Sequence, residues 1–236
     1  LLARQRDLSG WCLLVTAGPT RQWIDPVRFI SNPSTGKMGY AVAEAAVSRG
    51  AEVVLISGPT FLDAPAGVNL RRVETTFELL DAAVDAFEHC DAAVCAAAPA
   101  DHAPQAVAHT KIKREPNSKT ADSVLELKLY PTPDVAAELG RRKGSKVLVV
   151  FAAETEDLIE NARRKMQSKN ADMVVANDVT SPSSGFGADT NQVCLICADG
   201  SVEQLPLMSK SALAHEILNR MVPLLQQRRP RNTSKE

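Results

Sequence analysis

Nothing in the sequence pulls the chain toward a polyanion or a bilayer. The 27 Lys and Arg nearly balance the 28 Asp and Glu, for a net charge of −1. Without a basic excess or a basic stripe, nucleic acid is not an expected partner. No apolar run approaches the roughly 20 residues that span a membrane. The opening residues, LLARQRDLSG, also lack the apolar core of a signal peptide. There is no initiator Met, so the expectation is a domain excised from a longer protein, with residues 1–10 as linker. The cysteines (Cys12, Cys90, Cys95, Cys194 and Cys197) are odd in number, which is no disulfide framework. Most lie in or beside apolar runs, so buried free thiols in a reducing, cytoplasmic compartment are expected. Cys194 and Cys197 form C-x-x-C, but strand residues three apart face opposite ways, which argues against a shared metal.

Three familiar nucleotide signatures are missing too. The dinucleotide fingerprint G-x-G-x-x-G fails, because Gly18 is followed by Pro19 and Thr20 and the next glycine is Gly36. A short-chain reductase needs a Tyr four residues before a Lys, yet Tyr40 and Tyr130 are followed at that spacing by Glu44 and Asp134. The P-loop fails at Met38, which follows Gly36-Lys37, and at Ser31, which stands in place of its first glycine. An NAD(P)-dependent oxidoreductase on a Rossmann-like fold is therefore the weaker alternative.

What is present is an unusual loop. Residues 15–39, VTAGPTRQWIDPVRFISNPSTGKMG, join an apolar run to a small-residue helix. A strand-to-helix connection normally takes a handful of residues, and one this long is usually functional or disordered. Its Arg, Asn and hydroxyl content, feeding a helix start, suits an anion-binding loop. Residues 36–49 then read as a helix with Met38, Ala41, Val42, Ala45 and Ala46 on one stripe, capped by Ser34 or Thr35 and ended by Gly50. Continuous apolar runs at 51–58, 91–98 and 146–154 have the form of strands buried on both faces. Residues 69–75 read as a further strand, and 171–179 as another. Helices are expected at 76–90, with Phe77, Leu80, Ala83, Val84 and Phe87 inward, then at a short segment opened by Pro133, at 156–170 and at 209–225. Residues 198–201, ADGS, suit a hairpin turn. The alternation predicts one α/β domain at residues 11–227, with a Rossmann-like, mainly parallel sheet flanked by helices. An antiparallel ribbon, built from residues 111–114 and 124–130, is expected as a flap after the fourth strand. The charged tail at residues 228–236 is expected to be disordered. Ligands of such sheets sit beyond the carboxyl ends of the strands, so loops 15–39 and 99–110 should face one crevice.

The motifs GPTR, DPVRFISN, STGKMGYAVA, AAPAD, KIKR, TPD, FAAET and AND occur in this order. From residue 15 to about residue 222 they resemble phosphopantothenoylcysteine synthetase. That resemblance implies a CTP-dependent ligase of coenzyme A biosynthesis, with Mg²⁺ accompanying CTP. It implies 4′-phosphopantothenate and cysteine as the other substrates, a homodimer, and fusion to an N-terminal flavin-dependent decarboxylase domain. It also assigns residues. Asn32, Arg28 and Lys111 would be the catalytic residues: Asn32 would act on the acyl-nucleotide intermediate, its amide serving as neutral donor and acceptor, and Arg28 would lie near phosphate. Gly18, Ser34, Thr35 and Gly36 would complete the substrate and phosphate site. Cys95, Ala96, Ala97 and Asp101 would line the nucleotide, with Lys111 from the flap above it. Thr132, Pro133, Asp134 and Val135, then Phe151, then Lys165 and Lys169 would complete the CTP site. Thr132 replaces the family's Asn and Arg114 its last flap lysine. No protein ligand to the metal is assigned. On the residues alone, Arg28 equally reads as a surface ion pair, Asn32 and Asp101 as turn residues, and Phe151 as core. Lys111, Lys165 and Lys169 read as solvated faces.

Overall fold

The first strand needs no polar face. In the computed structural model, which describes residues 6–113, 124–154, 156–178, 185 and 187–228, β1 (Cys12–Ala17) is an interior strand with a parallel neighbour on each side. Leu13, Val15 and Ala17 enter one core and Leu14 the other, all fully buried. Each such aliphatic side chain contributes about 1.5–3 kcal/mol by burial. Loop 15–39, expected to be irregular, holds a short antiparallel pair, β2 (Arg21–Trp23) and β3 (Phe29–Ser31). Its rungs are closed by an edge-on Trp23–Phe29 contact and by Arg21 over the Phe29 ring.

α1 (Lys37–Ser48) follows, then β4 (Glu52–Ser57), β5 (Val68–Arg72), α2 (Thr76–His89) and β6 (Ala92–Cys95). A ribbon of β7 (His102–Pro104) and β8 (Leu129–Pro131) precedes α3 (Val135–Arg142). Then come β9 (Val147–Glu154), α4 (Leu158–Ser168) and β10 (Met173–Asp178), followed by β11 (Thr190–Asn191), β12 (Val193–Cys197), β13 (Val202–Gln204), β14 (Met208–Ser209) and α5 (Lys210–Arg228). The eight-stranded sheet runs β13-β12-β10-β9-β6-β1-β4-β5, parallel except where β12 and β13 join. α1 and α5 cover one face, and α2, α3 and α4 the other. The chain leaves β1 toward β4 and β5, then returns to its other side with β6. The topological switch point therefore lies between β1 and β6, where such sheets take their ligands.

Several local expectations need correction. The expected cap of α1 is not Ser34 or Thr35: the N-cap is Gly36, at φ +80°, with no side-chain cap. That left-handed turn suits glycine and leaves both hydroxyls upstream of the helix. Gly39 then brings α1 onto β1, since a Cβ there would lie 2.5 Å from the Ala17 Cβ. On α2 the buried residues are Thr76, Leu79, Ala83, Ala86 and Phe87, and Leu80 and Val84 pack half-buried against the same core as expected, while Phe77 is 53% exposed. The Thr75–Glu78 capping box fixes the start, and the buried Thr76 hydroxyl, bonded to Thr20 and Gln22, turns this face inward. Pro133 precedes α3 rather than opening it; Asp134 is the N-cap, accepting from Ala137 N at 3.0 Å.

The ribbon follows the fourth strand of the sheet, but its first arm is His102–Pro104 instead of residues 111–114. Lys111–Lys113 lie in no strand, because side chains of the opening loop hold their backbone. Ile112 N donates to Asp25 and Ile112 O accepts from Arg28. Arg114 and the expected flap tip lie outside the described residues. Residues 6–10, expected as linker, are part of the domain: Leu8 is fully buried and Asp7 pairs with the buried Arg49. Arg228, expected in the tail, ends α5 and pairs with Asp172; residues 229–236 are outside the description. Cys194 and Cys197 do face opposite cores, and all five cysteines are free.

Candidate active site

The carboxyl ends of β1 and β6 meet the opening loop through a continuous set of hydrogen bonds. Ala96 N donates to Thr16 O at 3.2 Å and Ala98 N to Gly18 O at 2.9 Å. Ala100 N donates to Thr20 Oγ1 at 2.9 Å, inside a buried network that includes Thr76 and Gln22. Both loops therefore border one cavity, as expected, of about 330 Å³, within the usual range for a small-molecule site.

Among the assigned residues, all but Gly18, Arg28 and Lys111 line this cavity. Asn32 enters from the end of β3, and its Nδ2 donates to Pro99 O at 2.9 Å and Ala98 O at 3.3 Å. Both amide hydrogens are thereby committed, so the open group is the acceptor Oδ1. Ser34, Thr35 and Gly36 bring in the uncapped start of α1. Across from them, Cys95, Ala96 and Ala97 give a floor of small side chains, and burial pushes the Cys95 thiol up to about 12. It is a neutral wall group.

The nucleotide-side residues are held by one another. Thr132 Oγ1 donates to Ala100 O at 2.6 Å and Thr132 N to Asp101 O at 2.9 Å, so its hydroxyl is spent on backbone. Asp134 caps α3 and faces Lys169 Nζ at 3.4 Å. Phe151 is half-buried on β9, and Lys165 lies one turn from Lys169 on α4. Gly140 lets α3 touch the end of α4, where a Cβ would lie 1.9 Å from Lys169 O.

Arg28 lies elsewhere. Its Nε donates to Asp25 Oδ2 at 3.0 Å and its Nη2 to Ile112 O at 2.9 Å. The guanidinium holds the fully buried Asp25 carboxyl well below the usual range, helped by the Val27, Ile112 and Arg28 amides. Arg28 thus anchors the segment that carries the exposed Lys111. Gly18 supports the cavity through its carbonyl rather than lining it.

The cavity also contains residues that sequence reading did not assign: Thr16, Lys37, Asn177, Asn191 and Lys210. Lys37 and Asn177 lie within quoted motifs, GKMG and AND, and were legible there. Lys210 opens an amphipathic helix and gave no signal. Among the described residues, no three or more His, Cys, Asp or Glu side chains gather as a metal site. No described helix is long and apolar enough to cross a membrane.

Comparison with known proteins matches residues 8–224 to the family described as the DNA/pantothenate metabolism flavoprotein C-terminal domain. The chain belongs to this family. Its similarity to the coenzyme A biosynthesis bifunctional protein CoaBC of Bacillus subtilis is 45% identity over 221 residues, 93% of this chain and 53% of that protein. The chain thus spans about half the length of the curated relatives it matches. A crystal structure of the C-terminal domain of a CoaBC protein covers 94% of this chain and all of its own, at 39% identity and a TM-score of 0.79. A Cab2 variant covers 94% and 89% at a TM-score of 0.73, and at 17% identity it bears on the fold alone. Both neighbours share the α/β sheet described above.

Proposed function

We propose that the chain is a phosphopantothenate–cysteine ligase that uses CTP. One observation carries the reading: Asn32, the β6 end, the α3 start and the α4 lysines, from four separate stretches of the chain, converge on one cavity at the switch point. Family membership supports it, since the Bacillus subtilis relative is named for coenzyme A biosynthesis. The Cab2 variant was solved in complex with phosphopantothenate–cysteine.

In this reading the carboxylate of 4′-phosphopantothenate attacks the α-phosphorus of CTP, and pyrophosphate leaves. The amine of cysteine then attacks the acyl-cytidylate carbon, and CMP leaves. The chain's task is positioning and charge compensation more than proton transfer. Lys165 and Lys169 meet the triphosphate from one wall, and the small residues at 95–97 let the nucleoside approach the backbone. Asn32, with its donors tied to Ala98 and Pro99, presents Oδ1 to the incoming amine and orients it toward the acyl carbon. Mg²⁺, when bound with CTP, offsets triphosphate charge, and it usually keeps substrate oxygens and waters as ligands. The donor set fits that mode: no cage forms among the described residues, Asp134 is engaged by Lys169 and α3, and Asp101 is the carboxylate left for it.

The chain is proposed to work as a homodimer in the cytoplasm and as one half of a longer protein with a flavin-dependent decarboxylase. The exposed apolar residues Leu129 and Tyr130 on the ribbon, with Val124, Leu125 and Leu127 just before it, suit coverage by a second copy. The test is product analysis by mass after incubation with CTP, Mg²⁺, 4′-phosphopantothenate and cysteine. Phosphopantothenoylcysteine and CMP are expected in equal amounts; NAD(P)H binding with no CTP requirement would favour an oxidoreductase instead.

A further inference from the structure

Lys210 occupies a position that folding alone does not explain. It is the first residue of α5 and only 8% exposed. A cation at a helix N-terminus opposes the dipole, and burial adds a desolvation cost. Burial first, and then the neighbouring Lys37, hold its ammonium below the ordinary lysine range. The nearby acid is already committed: Asp189 Oδ1 receives Lys37 Nζ at 2.6 Å. No hydrogen bond or ion pair from Lys210 Nζ is found among the described residues; only its backbone N–H is used, to Asp189 O at 3.0 Å. Lys210 lines the cavity together with Lys37 and the start of α1, whose N-cap has no side chain to satisfy its amides. Beside them, the Asn177 Oδ1 is buried without a partner.

Lys37 is already engaged by Asp189 and the Gly187 carbonyl, so Lys210 and the open helix start, in the same cavity, are what remain to receive an anion. We propose that Lys210, with the α1 amides, forms a phosphoryl subsite separate from the Lys165–Lys169 wall. Its ligand is a phosphate ester with a hydrogen-bond donor close to the phosphoryl group, which Asn177 Oδ1 accepts. Bound there, the phosphoryl group neutralises Lys210 and caps α1. The inference deepens the ligase reading and rests on it for the ligand's identity. That reaction supplies two candidates, the terminal phosphate of 4′-phosphopantothenate and the triphosphate of CTP.

The test compares the wild-type chain with Lys210→Met and Lys210→Arg by thermal unfolding and equilibrium binding. Inorganic pyrophosphate serves as a probe that needs no ligase activity. It should raise the unfolding temperature of the wild type and of Lys210→Arg, and fail to do so for Lys210→Met. Without ligand, Lys210→Met should unfold at or above the wild-type temperature, because an uncompensated buried charge has gone. In direct binding, Lys210→Met should lose tenfold or more affinity for either 4′-phosphopantothenate or CTP, and the ligand that loses it is the one the subsite holds. Unphosphorylated pantothenate should bind both forms equally. Unchanged affinity for both phosphorylated ligands would overturn the proposal, as would a Lys210→Met chain that unfolds several degrees lower while binding normally. If the wild type makes no product from CTP, the ligase reading falls while the pyrophosphate result still decides the subsite.

Discussion

Asn32 is tied down at one end only. Its amide nitrogen donates to the Ala98 and Pro99 carbonyls, and the residue lines the cavity. Asn32→Asp would set a carboxylate oxygen against two carbonyl oxygens, misplacing the group meant to receive the amine. The second half-reaction should slow by about 10²-fold, so the acyl-cytidylate accumulates while pyrophosphate release continues. Rapid quench with mass detection separates the two steps. Loss of cytidylate formation itself would place Asn32 in the first step instead. Arg28 shows the opposite case. From sequence it read equally as a phosphate ligand or an ion pair, and within one chain it is the partner of Asp25 and Ile112. The Asp25 pair is local, three residues away, whereas the contact with Ile112 O lies 84 residues away in sequence and no local pattern encodes it.

At the level of elements, the N-terminal segment is stitched to two helices. Asp7 pairs with Arg49 at the end of α1, and Arg49 Nη1 donates to Asn219 Oδ1 on α5 at 2.8 Å. The Arg49 hydrogen bond holds the Asp7 carboxyl below its ordinary value. A depressed carboxyl stabilises the fold above the unfolded value of about 3.9 and loses that contribution as pH falls through the lower folded value. Hydrogen exchange of Leu8 and of the α1 C-terminus should therefore quicken below about pH 4, and Asp7→Asn should remove this step. An unchanged acid profile in the variant would assign the acid sensitivity to other carboxyls. Strands and helices were largely legible in the sequence. Continuous apolar runs such as β1 and β9 admit only burial on both faces, and the Thr75–Glu78 signature marks a helix start. Less legible were features set by distant side chains. The inward face of α2 follows the Thr76 network, and the ribbon's first arm begins at His102 because Asp25 and Arg28 hold Ile112.

For the whole molecule, the site's location follows from topology. The reversal of strand order between β1 and β6 places a crevice at their carboxyl ends, and the long opening loop fills one side of it. The α4 lysines and Asn32, more than a hundred residues apart in sequence, line the same cavity. Lys210 was illegible for the same reason: nothing near it in sequence says that α5 begins beside α1. The apolar ribbon belongs to this scale too. Sizing by light scattering should give twice the chain mass, and Leu129→Glu with Tyr130→Glu should shift it toward monomer. A wild-type monomer at working concentration would remove the second copy from the account.

The central claim is that this cavity activates a carboxylate with CTP before cysteine arrives. Pyrophosphate release, followed with CTP, Mg²⁺ and 4′-phosphopantothenate but no cysteine, tests it most directly. A burst close to one equivalent per site, followed by turnover once cysteine is added, is the expected result. No CTP-dependent pyrophosphate under either condition would contradict it.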